Sequence, residues 1–343
     1  MEQVKLTQYS HGAGCGCKIS PAILDKILHS EFAKPSFSSL LVGNESRDDA
    51  AVFDLGDGTC IVSTTDFFMP IVDDPFTFGA IASVNAISDV YAMGGEPLMA
   101  IAILGWPINK ISPEVAKRVL DGSRDACSRA GIPLAGGHSI DCPEPVFGLA
   151  VTGKLKKENL KRNDTAKAGS LLYLTKPLGI GIVTTAQKKG IVKEPHLDLA
   201  IETMLTLNDL GSAFGKLPFV TALTDVTGFG LLGHLSEVCE GSGLSAEIEF
   251  DKVPRFDFLE SYVQQNSVPG GTTRNWESYG SRIGGVSAFQ KAILADPQTS
   301  GGLLVAVEES EAAGFERILR KHGKPAEPFG RLLEKRPVLI TVV

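Results

Sequence analysis

Apolar and polar positions along this chain fall into two rhythms, and the switches between them predict its elements. After Ser20-Pro21, the residues Ile23, Leu24, Ile27 and Leu28 sit at helical steps, with a cap and a proline at the first helical position. CIVSTTD at 60–66 predicts a strand that ends on Asp66 as the chain leaves the sheet. Over 79–93, Ile81, Val84, Ser88 and Tyr91 recur at three- and four-residue steps, a helix stopped by Gly94-Gly95. LMAIAIL at 98–104 is continuously apolar, as in a strand covered on both faces. Ser112-Pro113-Glu114 opens a further helix closed by Gly131, and 146–151 predicts another strand.

The second half repeats the mixture. Strands are predicted at 170–175, 302–307 and 337–343, and helices over 197–214 and from 230 to 239. The glycine-rich, polar stretch 254–286 reads as surface loops. Between the halves, 154–167 carries eight charges and few large apolar residues, the composition of a domain boundary. A chain of 343 residues exceeds the size at which one core stops growing. Two domains, each of α/β or α+β type rather than all-helical or all-β, follow.

Composition narrows the function classes. With 43% hydrophobic and 21% charged residues this is an ordinary soluble chain. A net charge of -7 argues against broad capture of nucleic acid or an anionic membrane. The N-terminus lacks a secretion leader, no apolar run is long enough to span a bilayer, and six scattered cysteines do not form a disulfide framework. A reducing cytoplasm is the simplest setting.

Candidate chemistry concentrates in HGAGCGCK at 11–18. Glycines there lose backbone entropy on ordering and bury little, which favours a mobile, reactive lid over a packing element. Cys15 and Cys17 lie beside Lys18, whose charge favours the thiolate. Zinc held by His11, Cys15 and Cys17 is the competing reading, although this spacing is a poor match to structural zinc sites. Asp48, Asp49, Asp66, Asp89 and Asp225 all sit beside small or apolar residues. Each alone reads as a cap or turn; gathered together, they suit magnesium carrying nucleotide phosphates. Asn85 and Asp89 share one side of a helix. AGGHS at 135–139 and GFGLLG at 228–233 admit close phosphate approach, yet polar TDVT precedes the latter, a weak dinucleotide signal. No P-loop motif is present, so bound ATP would lie elsewhere, with Lys18 as its cation. Cys60, Cys127 and Cys239 fall in apolar settings and read as core.

HGAGCGCK, RDDAAV, STTDFF, NAISDVYAMGG, AGGHSID, LTDVTGFGLLGHL and DPQTSGGLL occur in one order from about position 9 to 302. Together they resemble the selenophosphate synthetase family, also called selenide, water dikinases. The resemblance implies a two-domain fold like that of aminoimidazole ribonucleotide synthetase. It divides the chain into a mobile lid over 1–20, an ATP-binding and dimerisation α/β domain over 21–155, and an α+β domain over 168–343. It also implies a homodimer with strands paired across subunits and ATP at the interface. The implied reaction turns ATP, selenide and water into selenophosphate, AMP and phosphate, with Mg²⁺ and a monovalent cation such as K⁺. Its product would supply selenium for selenocysteine and selenouridine, with a selenium-delivery protein as a further partner. By motif, Cys15 takes the reactive cysteine or selenocysteine position and Lys18 that of the essential lysine. Asp49, Asp89 and Asp225 match magnesium ligands. Lys18, Ser46, Arg47, Asp48, Asp66 and Asp89 match nucleotide contacts, and Gly137, His138 and Ser139 match contacts reached from the partner subunit.

Overall fold

The computed structural model describes residues 4–19, 21–28, 37–44 and 47–343. Its N-terminal half builds a six-stranded sheet from β1 (Leu40–Val42), β2 (Ala51–Asp54), β3 (Thr59–Phe68), β4 (Glu96–Trp106), β5 (Leu134–Asp141) and β6 (Val146–Lys156). The spatial order is β1-β2-β3-β6-β4-β5, antiparallel except where β5 runs parallel to β4 at the edge. After α1 (Pro21–Leu28), the helices α2 (Pro75–Ala92) and α3 (Pro113–Arg129) cover one face. Asp74 caps α2 by accepting from the Thr77 amide at 2.9 Å, so this helix starts four residues before the apolar period becomes visible. Gly79 and Gly122 let α2 and α3 touch backbone to backbone; a Cβ on either would collide with a carbonyl of the other helix.

Two expectations change here. β3 continues through Asp66 to Phe68, with Asp66 paired to Leu149, so the aspartate points inward from within the sheet. β4 is covered on one face only: Ala100 and Ala102 are buried, while Leu98, Met99 and Ile101 are exposed. An uninterrupted apolar run had suggested two covered faces, but α2 and α3 pack on just one.

The C-terminal half forms a seven-stranded sheet from β7 (Leu171–Leu174), β8 (Val220–Asp225), β9 (Leu244–Ile248), β10 (Ile283–Gly284), β11 (Leu303–Val307), β12 (Gly330–Glu334) and β13 (Ile340–Val342). Their order is β10-β13-β9-β12-β7-β11-β8. The helices are α4 (Ile180–Lys188), α5 (Glu194–Leu205), α6 (Leu210–Gly215), α7 (Gly230–Ser242), α8 (Leu259–Gln264), α9 (Gly270–Tyr279), α10 (Ala288–Leu294) and α11 (Ala312–Lys321). The single helix expected over 197–214 is thus two, α5 and α6. The loops expected over 254–286 instead contain α8 and α9, anchored by buried Tyr262 and Tyr279.

The charged stretch between the halves is fastened down. Lys161 is buried and donates to the carbonyls of Leu217 and Val220 at 2.8 and 2.9 Å. Polar residues also knit the halves together, since Ser88 on α2 donates to Asp225 at the end of β8 at 2.6 Å. Among the described residues, no helix is long and apolar enough to cross a membrane.

Candidate active site

A cavity of about 660 Å³ opens where β2, β3, α2 and the end of β8 meet. Lys18, Arg47, Asp48, Asp49, Asp66, Asp89 and Asp225 all line it. Their convergence has local causes. Asp66 points inward from β3, and Asn85 and Asp89 stand one turn apart on α2. Asp225 ends the fully buried β8.

Three of the carboxylates are held by hydroxyls. Asp225 accepts from Ser88, Asp89 accepts from Thr64 at 2.5 Å, and Asp49 accepts from Thr224 at 3.0 Å. The second oxygen of Asp49 is buried with no hydrogen-bond partner. Burial pushes the carboxyls of Asp49, Asp89 and Asp225 above their ordinary range. For Asp49 and Asp89 the next largest cause is the charge of Asp225. Such a group favours a cation or a proton. Among the described residues, no three acidic, histidine or cysteine side chains already form a closed metal cage. The donor chemistry nevertheless fits a hard divalent cation, because the oxygens are buried, mutually repelling and, at Asp49, unpaired.

The glycine-rich segment closes over one end of this cavity. Gly14 adopts φ +50° and donates to the Met69 carbonyl at 3.0 Å; a side chain there would run into Thr299 and Ile71. Gly228 serves the same fit from the other side, since its Cβ would lie 2.6 Å from the Cys15 carbonyl oxygen. The first glycine of GFGLLG thus admits the backbone of the glycine-rich segment.

Cys15 is 1% exposed. Its amide donates to Thr299 Oγ1 at 3.1 Å and its thiol to Asn85 Oδ1 at 3.3 Å. Asn85 Oδ1 also takes the Ser300 amide at 2.8 Å, and Asn85 Nδ2 donates to Asp66 Oδ2 at 2.8 Å. Lys18 Nζ reaches that same oxygen at 3.1 Å. The result is a chain of thiol, amide, carboxylate and ammonium. Burial alone would lower the Lys18 pKa, but Asp66, followed by Cys15 and Asp89, raises it on balance, so the lysine stays charged.

This geometry corrects the expected thiolate. Burial pushes the Cys15 thiol up and Asp66 adds to the rise, outweighing Lys18, which pairs directly with Asp66. The proton stays on sulfur and is given to Asn85.

Other expected site residues separate by role. The Asp48 side chain accepts from the Asn163 amide at 2.8 Å and lies 3.8 Å from Arg162, so it also ties the charged connection to the cavity. Arg47 lines the cavity at φ +53°, with its carbonyl taken by Asn163. Ser46 and the Cys17 side chain lie outside the described residues. Gly137, His138 and Ser139 are exposed on the edge strand β5 and do not line this cavity. The hydroxyls of Thr64, Ser88, Thr224 and Thr299 were not singled out as site residues in the sequence; their shared signal is a small polar residue next to or near an acidic one.

Comparison with known proteins agrees with this architecture. The family models AIR synthase related protein, N-terminal domain, and AIR synthase related protein, C-terminal domain, match residues 47–155 and 167–342. A selenide, water dikinase of Colwellia psychrerythraea is 60% identical over 333 residues, 97% of either chain. One from Yersinia pseudotuberculosis is 60% identical over 342 residues, 99% of this chain and 98% of the relative. Among solved structures, a thiamine-monophosphate kinase from Stenotrophomonas maltophilia superposes with a TM-score of 0.65 at 18% identity, covering 89% of this chain and 91% of that one. The hydrogenase maturation protein HypE in complex with ATP gives 0.61 at 16% identity, covering 96% and 90%. These distant likenesses show the fold, while the near-full-length identities show more: the chain belongs to the selenide, water dikinase family.

Proposed function

We propose that the chain makes selenophosphate from ATP, selenide and water, releasing AMP and phosphate. The observation that carries this reading is the Cys15–Asn85–Asp66–Lys18 chain set against the carboxyls of Asp49, Asp89 and Asp225 in one cavity. Phosphoryl transfer needs positioning and charge neutralisation more than covalent chemistry, and this constellation offers both. ATP is the cavity's substrate in this reading, with Lys18 and Arg47 as cations toward its phosphates and Asp66 holding Lys18 in place. Asp49, Asp89 and Asp225 would hold Mg²⁺, which when bound neutralises phosphate charge; a monovalent cation such as K⁺ belongs to the same reading.

Closure of the lid over 1–20 keeps water from the γ-phosphoryl group before selenide reaches it. Cys15 handles selenium, because a soft sulfur suits a soft partner. Its proton, held toward Asn85, can be offered as a hydrogen bond to the selenium anion.

The division into a lid, an ATP-binding domain over 21–155 and a C-terminal domain over 168–343 belongs to the same proposal. So does a cytoplasmic homodimer. The exposed apolar face carrying Phe67, Met99 and Ile101, with His138 and Ser139 on the neighbouring edge strand, supports a second subunit there. Delivery of selenium by a partner protein is part of this reading too.

Phosphorus NMR of an anaerobic reaction with ATP, Mg²⁺ and selenide tests the function directly. Selenophosphate and AMP are both expected. In Cys15→Ser, selenophosphate disappears while ATP still binds; ADP accumulating alone from the unaltered enzyme would overturn the reading.

A further inference from the structure

Behind the glycine-rich segment, on the side away from the acidic cavity, lies a second cavity of about 280 Å³. It is bounded by His11, Gly12 and Gly16 of the segment, by Lys188 at the end of α4, and by Arg274 on α9. No carboxylate is among its described lining residues, and His11 turns its ring to Glu144 at 3.0 Å. Lys188 Nζ reaches the Gly12 carbonyl and Arg274 the Gly16 carbonyl, each at 2.9 Å. The two cations therefore hold the segment down while lining the cavity.

A separate gap of about 10 Å³, room for about one water, lies between this cavity and Cys15. Gly16, Gly271 and Arg274 line both spaces, and Cys15, Lys18 and Asn275 line the far end of the gap. Thr299, which lines the rear cavity, takes the Cys15 amide. With Cys15 1% exposed, the wall formed by Gly16, Gly271 and Arg274 is all that has to shift to widen this gap toward it.

We propose that the rear cavity admits and holds the small anionic selenium substrate, hydroselenide, and passes it to Cys15 while ATP fills the front. The inference rests on the reading of the chain as a selenide-using dikinase. Its physical ground is charge. The front is lined by Asp48, Asp49, Asp66, Asp89 and Asp225, and when Mg-ATP fills it the complex is still net negative, so a second anion is disfavoured from that side. The rear offers Lys188 and Arg274, and a cleft lined by one sign of charge raises the local concentration of its counter-ion. Two substrates of like charge thus meet from opposite sides of one segment.

Steady-state kinetics at saturating Mg-ATP test the proposal. Arg274→Gln and Lys188→Gln each raise the KM for selenide about 5- to 20-fold, within the reach of electrostatic focusing, and leave the KM for ATP unchanged. Arg274→Lys restores most of the loss. An unchanged selenide KM overturns the proposal, and so does an ATP KM that rises in step, because that marks the two cations as clamps for nucleotide closure alone. If the unaltered enzyme makes no selenophosphate, the functional reading fails first, and the two failures are told apart. Bromide, a monovalent anion of similar size to hydroselenide, gives a readout that needs neither turnover nor a variant. Crystals of the full chain with a non-hydrolysable ATP analogue, soaked in bromide, should show anomalous density beside Lys188 and Arg274; an empty rear cavity overturns the proposal.

Discussion

The two sides of the glycine-rich segment use charge in opposite ways. At the front, burial makes the carboxyls of Asp49, Asp89 and Asp225 resist ionisation, with the charge of Asp225 adding to the rise at Asp49 and Asp89, and Lys18 is bonded to Asp66. At the rear, Lys188 and Arg274 face a cavity without a lining carboxylate among the described residues and spend hydrogen bonds on lid carbonyls. The front is a site that requires a cation before it can accept a polyanion. The rear can accept a small anion as it stands. Glycines make the segment thin: Gly16 lines the rear cavity and also the small space beside Cys15.

The largest break in the comparison comes from removing the segment's own cation, Lys18, which lines the front cavity and the small space beside Cys15. Lys18→Ala leaves Asp66 with Asn85 but without its cation, and the phosphates without this ammonium, so selenophosphate formation should fall about 10²–10³-fold, the usual range for a lost transition-state donor. Lys18→Arg keeps the charge but not the compact ammonium reach, and should recover only part of it. Anaerobic phosphorus NMR time courses measure both, and a variant within a few-fold of the unaltered enzyme would remove Lys18 from the chemistry.

A smaller effect sharpens the front alone. Asp89→Asn keeps an acceptor for Thr64 while deleting one of the mutually repelling charges. Magnesium dependence should weaken by at least the ~10–100-fold typical of a lost supporting partner. Stability moves the other way. The Asp89 pKa is raised in the folded state, so its contribution to stability is full below the ordinary carboxylate pKa and is lost as pH rises toward the shifted value. In EDTA at pH 7 the variant should therefore melt higher than the unaltered protein, and the gap should shrink at pH 4 and on adding Mg²⁺. Calorimetry showing a lower melting temperature in EDTA would mean that repulsion is not what strains the front.

Sequence made the front far more legible than the rear, and the reason is physical. Carboxylates beside apolar neighbours are expensive to bury, so Asp49, Asp66, Asp89 and Asp225 stood out before any fold was known. Lys188 and Arg274 look like any solvated helix residue, because only tertiary packing of α4 and α9 against the lid gives them a cavity. The same divide runs through the fold. Strong apolar periods located α2, α3 and β3. The period failed at α8 and α9, where two buried tyrosines anchor short helices in a polar, glycine-rich context. It also misjudged β4, since an apolar run cannot tell a face covered by helices from one left open on the chain. The thiolate expected of Cys15 failed for a related reason: adjacency to Lys18 was readable, but the bond that commits Lys18 to Asp66 was not.

The smallest expected effect concerns Asp296, the acid beneath the rear cavity. It is fully buried, its Oδ2 accepts the amide of Gly181 at 2.9 Å and the Gln298 side chain at 2.8 Å, and its Oδ1 has no partner. Burial pushes its pKa up to about 8, so the carboxyl is neutral at pH 7 and does not cancel the charges of Lys188 and Arg274. Between the ordinary value of 3.8 and about 8 the folded chain holds a proton that the unfolded chain has released, so stability from this group falls as pH rises through that window. Asp296→Asn keeps the accepting oxygen and has no proton to lose. The two proteins should melt together near pH 4, and the variant should pull steadily ahead as pH approaches 8. Above that the gap should level off, while the selenide KM of the unaltered enzyme rises as Asp296 ionises and that of the variant does not. Parallel melting curves from pH 4 to 9 would show that Asp296 is ionised throughout, and the rear cavity would then carry a buried negative charge against its two cations.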